Sequence, residues 1–429
     1  MKTPKLLYAN AAGEVMDHPR YLAPGRTGDY LTDVEPHEWI PLPEGATLTW
    51  LPGTRAIGIR PEDGQLEALP TSCYAVGALL PQGYTRLFLP GYSKRAKEEE
   101  TLPLFGYTAV GWHKDAFVVA AHPTDASDEW NPETVSEADV EAAVQRVLQT
   151  FPENRLFAHL SHCALVYGCM TARNTFLGRQ EGAIPASNVC NAACVGCISE
   201  QPEGAPFPAP QTRLTFRPTV EEMVEVMHAH IQQNPRGVVS FGQGCEGEPS
   251  TRFLDIAKSI RALRERTSDG YVNINTNAGF TRGIQRIVDA GLNLMRVSTI
   301  SAIPEHYDAY YRPRQYKVSD VEASLAYAAD HGVYTSINYL VFPGVSDREE
   351  EVEAMAAFLR RAKVKLVQMR NLNIDPEYYL RIVPQRKGDI LGMVDMMDVL
   401  KSECTGLEIG SYTHVPPVQH NGVQTQHAH

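Results

Sequence analysis

Cys190-Asn-Ala-Ala-Cys194-Val-Gly-Cys197 places three cysteines at C-x3-C-x2-C in one short loop. Three thiolates at this spacing can hold one iron–sulfur cluster. A four-iron cluster takes four cysteines when fully ligated, so three leave one iron open to a further ligand. An open iron in a strongly reducing cluster is a reaction centre rather than a wire. Zinc is the competing reading, but zinc sites favour two C-x2-C pairs or Cys/His pairs, and no second pair follows at the usual distance.

Around this loop the pattern alternates between strand and helix from about residue 181. Thr219-x-x-Glu222 has the form of a capping box before the apolar stripe Met223, Val226, Met227 and His230, and Val238 to Phe241 reads as a buried strand. A helix from about Arg252 to Arg264 leads to a strand at Tyr271 to Asn275. A further helix ends at Gly291 before the strand Leu294 to Ser298. Ser319-x-x-Glu322 is expected to start a helix that Gly332 stops. The strand Val333 to Val341, a helix from Asp347 to Arg361 and an extended run from Val364 to Met369 complete the series. Strands separated by helices of this length call for a parallel sheet with right-handed crossovers, either doubly wound or a barrel. In both, functional residues sit at the C-terminal strand ends.

Upstream the composition changes near residue 130. Short apolar runs at Ala46 to Leu51, Ala75 to Leu80 and Phe117 to Ala121, broken by Pro52-Gly53 and Pro81-Gln-Gly83, predict an irregular, mostly β N-terminal domain. Ser136-Glu-Ala-Asp139 opens a helix with an apolar stripe at Val140, Val144, Val147, Leu148 and Phe151. The expected organisation is a β domain over 1–132, a connecting helix over 133–160, an α/β domain over 161–415 and a polar tail over 416–429. The chain has 429 residues, a formal charge of -12 and no apolar run approaching the roughly 20 residues of a membrane helix. A cytoplasmic protein is expected, since a cluster and free thiols need a reducing compartment. The acidic balance argues against nucleic acid as a partner.

Gly242-Gln-Gly244-Cys-Glu-Gly247 follows a strand and precedes a helix, as a dinucleotide fingerprint does, with Asp269 at the distance of a ribose contact. Glu246 and Glu248, however, put two carboxylates where a pyrophosphate would lie, so a cation suits this loop better. Here the chain resembles the radical S-adenosylmethionine (SAM) superfamily. The cysteine spacing is similar to that of the family, and Gly247-Glu248-Pro249 looks like its Gly-Gly-Glu motif. The resemblance spans roughly residues 183 to 410 and implies a partial (β/α)6 TIM-type barrel. It implies a [4Fe-4S] cluster on Cys190, Cys194 and Cys197 whose free iron chelates SAM, with Glu248 holding the SAM ammonium group and Glu246 as the alternative. Asn275, Ser298 and Asn338, at strand ends, would contact the rest of SAM. One departure stands out: the residue before the third cysteine is commonly aromatic in the family and packs on adenine, but here it is Gly196.

The implied activity is reductive cleavage of SAM to methionine and a 5'-deoxyadenosyl radical, which abstracts hydrogen from a peptide or small-metabolite substrate. An oxygen-sensitive oxidoreductase fed by a reduced flavodoxin- or ferredoxin-type donor follows from the same resemblance. Arg370, Asn371, Asn373 and Asp375 close the sixth strand and are substrate-side candidates, as are Tyr310 and Arg312. Cys245, beside the SAM loop, is a candidate hydrogen donor or extra ligand, and Cys73, Cys163 and Cys169 with His162 are candidates for a second metal site. Two other classes stay open. A radical RNA methylase would want a basic groove and a methyl-accepting cysteine, for which Cys404 is available; a non-catalytic electron-transfer or redox-sensing cluster protein would need no SAM loop.

Overall fold

The structure, a computed structural model, describes residues 3–94, 101–125, 135–384 and 387–415. The expected boundary at 132–133 and the polar tail at 416–429 lie outside the described residues.

Between Lys5 and Pro123 the described chain forms short, antiparallel strands. The three apolar runs read from the sequence fall in strands Thr47–Leu51, Tyr74–Leu79 and Ala116–Pro123. Val110–His113 turns into Ala116–Pro123 through Lys114 and Asp115, which have φ of 47° and 60°. Two positive φ values in a two-residue loop match the right-handed strand twist and close a tight hairpin.

Helix α1 (Glu137–Thr150) starts where the sequence places it, with the Ser136 hydroxyl accepting the Asp139 N–H and with Val140 and Val144 buried. The connecting segment holds more than one helix. Asn154 caps a second, α2 (Arg155–Leu165), and a third, α3 (Met170–Leu177), ends on Gly178 in the left-handed region. These pack α1 against the sheet domain.

That domain is built on seven parallel strands in sequence order, one more than expected: β1 (Glu181–Ala183), β2 (Val238–Phe241), β3 (Tyr271–Thr276), β4 (Leu294–Thr299), β5 (Tyr334–Val341), β6 (Leu366–Asn371) and β7 (Glu408–Gly410). The outer helices are α4 (Val220–Gln233), α5 (Phe253–Arg266), α6 (Thr281–Val288), α7 (Pro304–Tyr311), α8 (Val318–Asp330), α9 (Glu349–Arg361), α10 (Pro376–Ile382) and α11 (Met393–Glu403). Helix α8 starts at Val318, where the Asp320 carboxylate accepts the Lys317 N–H, and not at the Ser319/Glu322 pair. The sheet is bent. Thr413, just past β7, donates to Glu181 of β1 at 2.5 Å and is bonded to Arg296 of β4, which pairs with Glu181 at 3.2 Å. Among the described residues no ladder joins β1 to β7, so the sheet stays open on that side.

The N-terminal strands seat on the C-terminal end of β6. Asn371 accepts the Arg86 N–H at 2.9 Å and donates to the Tyr84 carbonyl at 2.9 Å. Asp375 accepts from Lys94 at 3.1 Å and from the Leu102 N–H at 2.8 Å while capping α10. Fully buried Arg86 donates to the Leu372 carbonyl at 2.9 Å.

Candidate functional site

The cysteine loop is held from both sides by backbone hydrogen bonds. On one side Gly247 donates to the Ser187 carbonyl at 2.7 Å and Glu248 to the Val189 carbonyl at 2.9 Å. The approach is so close that a Cβ at Gly247 would lie 2.1 Å from the Val189 oxygen, so only glycine fits. On the other side Ala193 and Val195 donate to the carbonyls of Tyr311 and Tyr310 at 3.1 and 2.9 Å, and Arg314 donates to Asn191 at 2.8 Å. The loop's ends are thereby fixed against the glutamate loop after β2 and against the end of α7.

Cys190, Cys194 and Cys197 all line one cavity of about 520 Å³ at the C-terminal ends of the strands, within the range of a small-ligand site. Glu248, Asn275, Ser298 and Asn338 line the same cavity, so the sequence-derived cysteines and cofactor residues come together. Burial pushes the Cys190 and Cys194 thiols up, and their mutual charges and that of Cys197 push Cys194 further. Such a set favours a bound multivalent cation, which removes the cost of packing thiolates together. Among the described residues their sulfurs are not within a group of ligand atoms gathered inside 4.8 Å, as suits a cluster wider than a single ion. The residues therefore fit a [4Fe-4S] group. Arg213, which the sequence did not flag, donates to Cys197 Sγ at 3.6 Å and to Ser199 Oγ at 3.2 Å; no spacing rule links residue 213 to the triad.

The two glutamates separate clearly. Glu246 accepts four backbone N–H bonds, from Gly242 and Gln243 at 2.7 and 2.8 Å on one oxygen and from Ala186 and Ser187 at 2.7 and 2.8 Å on the other. Its lone pairs are used by the backbone, so although Glu246 also lines the cavity it serves as a strut that fixes the loop, and Glu248 is the freer acceptor. Glu248 accepts from the Ser250 N–H at 3.0 Å, the Asn277 N–H at 2.8 Å and the Thr276 hydroxyl. One of its oxygens carries only the Asn277 bond, which leaves acceptor capacity beside the cavity. Burial pushes its carboxyl upward, against these hydrogen bonds.

The other nominated residues divide. Arg370 lines the cavity and donates only to neutral acceptors, Asn338 at 3.3 Å and Gln368 at 2.9 Å; burial and nearby Arg296 pull its guanidinium down to about 10. Asn373 and Tyr310 also line it. Asn371 touches the cavity, but its amide is spent on the N-terminal strands, and Asp375 lies outside the lining, paired with Lys94. Both join the two parts of the chain. Arg312 faces away, onto a second cavity of about 650 Å³ that reaches the same three cysteines from outside, together with Arg314, Glu200 and Glu203.

Gly196 has a spatial explanation. A Cβ there would sit 2.6 Å from the Tyr310 hydroxyl, so the ring of Tyr310, arriving from α7, occupies the space that an aromatic residue at 196 would fill. Residues 80–84 of the N-terminal part form another wall of the cavity.

The remaining cysteines group differently from the expectation. Cys245 is buried outside the cavity lining, next to Cys163. Cys73 packs among Leu6, Leu51 and Ala56 of the β domain, far from any second metal site with Cys163. Cys404 is buried beneath α11 with its sulfur directed at the Ala356 carbonyl at 3.5 Å, outside the cavity.

Residues 184–359 match the family model of the Radical SAM superfamily. The comparison with curated proteins returns no match. Solved structures similar to this chain include SuiB of Streptococcus suis bound to the precursor peptide SuiA, at 15% identity over 56% of this chain and 52% of that one with a TM-score of 0.39. A radical SAM methyltransferase from Sphaerobacter thermophilus matches at 15% identity over 53% and 64%, TM-score 0.37. anSMEcpe with bound AdoMet matches at 17% identity over 45% and 51%, TM-score 0.34. The chain thus spans about half the length of SuiB and anSMEcpe.

Proposed function

We propose that the chain is a radical SAM enzyme that holds a [4Fe-4S] cluster and SAM, as the match of residues 184–359 to the Radical SAM superfamily model supports, and that it abstracts hydrogen from a small metabolite or peptide. The carrying observation is the convergence of three cysteines, Glu248 and the strand-end residues on one cavity. We read the bent parallel sheet as a partial barrel, opened by one strand pairing. Bound there, cluster and SAM would supply a 5'-deoxyadenosyl radical by reductive cleavage of the sulfonium.

The chain's own part is binding, orientation and exclusion of water. Cys190, Cys194 and Cys197 hold the cluster, and Glu248 offers a buried carboxylate to the SAM ammonium. Asn275, Ser298 and Asn338 face the remainder of SAM, and Tyr310 supplies the aromatic wall that Gly196 lacks. Arg370, a partly buried guanidinium that lines the cavity and whose hydrogen bonds among the described residues go to the neutral side chains of Asn338 and Gln368, selects a substrate with a carboxylate or similar anionic acceptor. The outer cavity gives an acidic flavodoxin- or ferredoxin-type donor access to the cysteine loop past exposed Arg312 and Arg314. The reducing compartment this requires is the cytoplasm, and no described helix is long and apolar enough to cross a membrane.

RNA methylation is disfavoured, since Cys404 lies outside the cavity. A purely electron-transferring role gives no use to the acceptor capacity that Glu248 keeps beside the cavity after its bonds to Ser250, Asn277 and Thr276. The test is anaerobic reconstitution, reduction and assay of 5'-deoxyadenosine from SAM. Glu248→Ala should keep the cluster absorbance, weaken SAM binding roughly ten- to hundredfold for the lost charge-assisted bond, and abolish 5'-deoxyadenosine. Wild-type protein that holds a cluster yet makes no 5'-deoxyadenosine would refute the reading.

A further inference from the structure

Helix α2 presents His159 and Cys163 four residues apart, hence on one face. Against that face lies Cys245, on the loop between β2 and Glu248. The imidazole nitrogen of His159 and the two sulfurs all fall within 4.8 Å of one another, with both cysteines buried and the histidine half-exposed. Bond lengths of about 2.3 Å to sulfur and about 2.0 Å to nitrogen put tetrahedral S···N edges near 3.6 Å. His159 Nε2 lies 3.7 Å from Cys163 Sγ. The spacing is that of donors around one ion, too tight for the thiolates of a second iron–sulfur cluster.

We propose that His159, Cys163 and Cys245 form a mononuclear zinc(II) site, separate from the cysteine triad. Two thiolates and one neutral imidazole are the borderline-soft donor set zinc takes. With zinc(II), two thiolates and one neutral imidazole give a complex that carries no net charge. Neutrality suits a place where both sulfurs are shut away from water; a third thiolate would leave an uncompensated charge. The fourth corner falls to water, which reaches the site from the half-exposed side of His159. Zinc would tie α2 to the loop of Glu246 and Glu248, cross-linking segments more than 80 residues apart in sequence.

The proposal does not depend on the radical reading, and the test keeps the two apart. The full chain with Cys190, Cys194 and Cys197 all changed to alanine cannot hold the triad's cluster. Purified under reducing conditions, it should contain about one zinc per chain by elemental analysis. Adding Cys163→Ser or His159→Gln should remove most of that zinc. Cobalt(II) in place of zinc should give intense thiolate-to-cobalt absorption with tetrahedral ligand-field bands in the triad-free protein, and Cys163→Ser should abolish them. Should Cys163→Ser fail to fold, the His159→Gln protein, which keeps both thiols, gives the same comparison. Folded triad-free protein that takes up neither zinc nor cobalt overturns the proposal. So does a Cys163–Cys245 disulfide found by mass spectrometry in metal-free protein that stays metal-free after reduction and exposure to zinc.

Discussion

Two carboxylates two residues apart, Glu246 and Glu248, have nearly opposite duties. The four N–H bonds on Glu246 come from both the cysteine-loop approach, Ala186 and Ser187, and the turn after β2, Gly242 and Gln243. Glu246→Gln places an NH2 group against two of those donors, at a cost of about 1–3 kcal/mol for each buried N–H left unpaired. The variant is expected to melt several degrees lower, checked by calorimetry, while its folded fraction binds SAM as the wild type does. Glu248→Ala strands the Ser250 and Asn277 N–H groups and should also melt lower, but unlike Glu246→Gln its folded fraction should lose SAM binding. The sequence displayed both carboxylates and the reason a pyrophosphate would not fit, but it could not rank them, because which oxygen is saturated depends on backbone N–H groups some 60 residues away. Tyr310 and Arg213 illustrate the same limit. The first was nominated without a reason to stand beside Gly196, and the second carried no signal, since its contact with Cys197 exists only in three dimensions.

Single elements were most legible where local chemistry fixes them. The box at Thr219 and Glu222 is present in full, with the Thr219 hydroxyl accepting the Glu222 N–H at 3.1 Å and the Glu222 carboxylate accepting the Thr219 N–H at 2.7 Å. Glu222 is also bonded by Arg155 of α2 at 2.7 Å, and that bond chiefly holds its carboxyl down to about 2. A carboxyl whose pKa is lower in the folded state adds stability above its unfolded value, near 4.3, and loses it as pH falls through the folded one. Denaturant titrations of cluster-free protein should therefore show wild type exceeding Glu222→Gln at neutral pH, with the gap closing from about pH 4.5 toward pH 2. Because Arg155 is half-exposed, the gap should be modest, about 1 kcal/mol. Helices α2 and α3 escaped notice because Cys163, Cys169 and the histidines drew a chemical reading, and β7 escaped because three residues carry no period. Periodicity registers long elements on a surface; it is silent about short ones fixed by their neighbours.

At the scale of the molecule the N-terminal strands are part of the site's enclosure, since residues 80–84 wall the cavity that Asn371 helps to close. Arg86 is the residue that joins them most deeply. It is fully buried, donates to the carbonyls of Tyr107, Val341 and Leu372, and lies over the Phe342 ring at 5.1 Å, with no carboxylate bonded to it among the described residues. Burial pulls its guanidinium down to about 9, and it still carries its charge at neutral pH. Arg86→Met removes the charge but strands those carbonyls, at about 1–3 kcal/mol for each one left unpaired. The N-terminal strands should then unfold before the sheet domain, splitting one denaturant transition into two, and proteolysis should release a sheet-domain fragment. The cysteines, Glu248 and Asn275 all belong to the sheet domain, so cluster content and substrate-free 5'-deoxyadenosine formation should survive at mild denaturant concentrations. Arg86→Lys should fall between, as one ammonium cannot span carbonyls that a guanidinium fork reaches together. If both variants unfolded in one unchanged transition, the β domain would owe its place to the bonds of Asn371 and Asp375 instead, and truncating those side chains would have to produce the split.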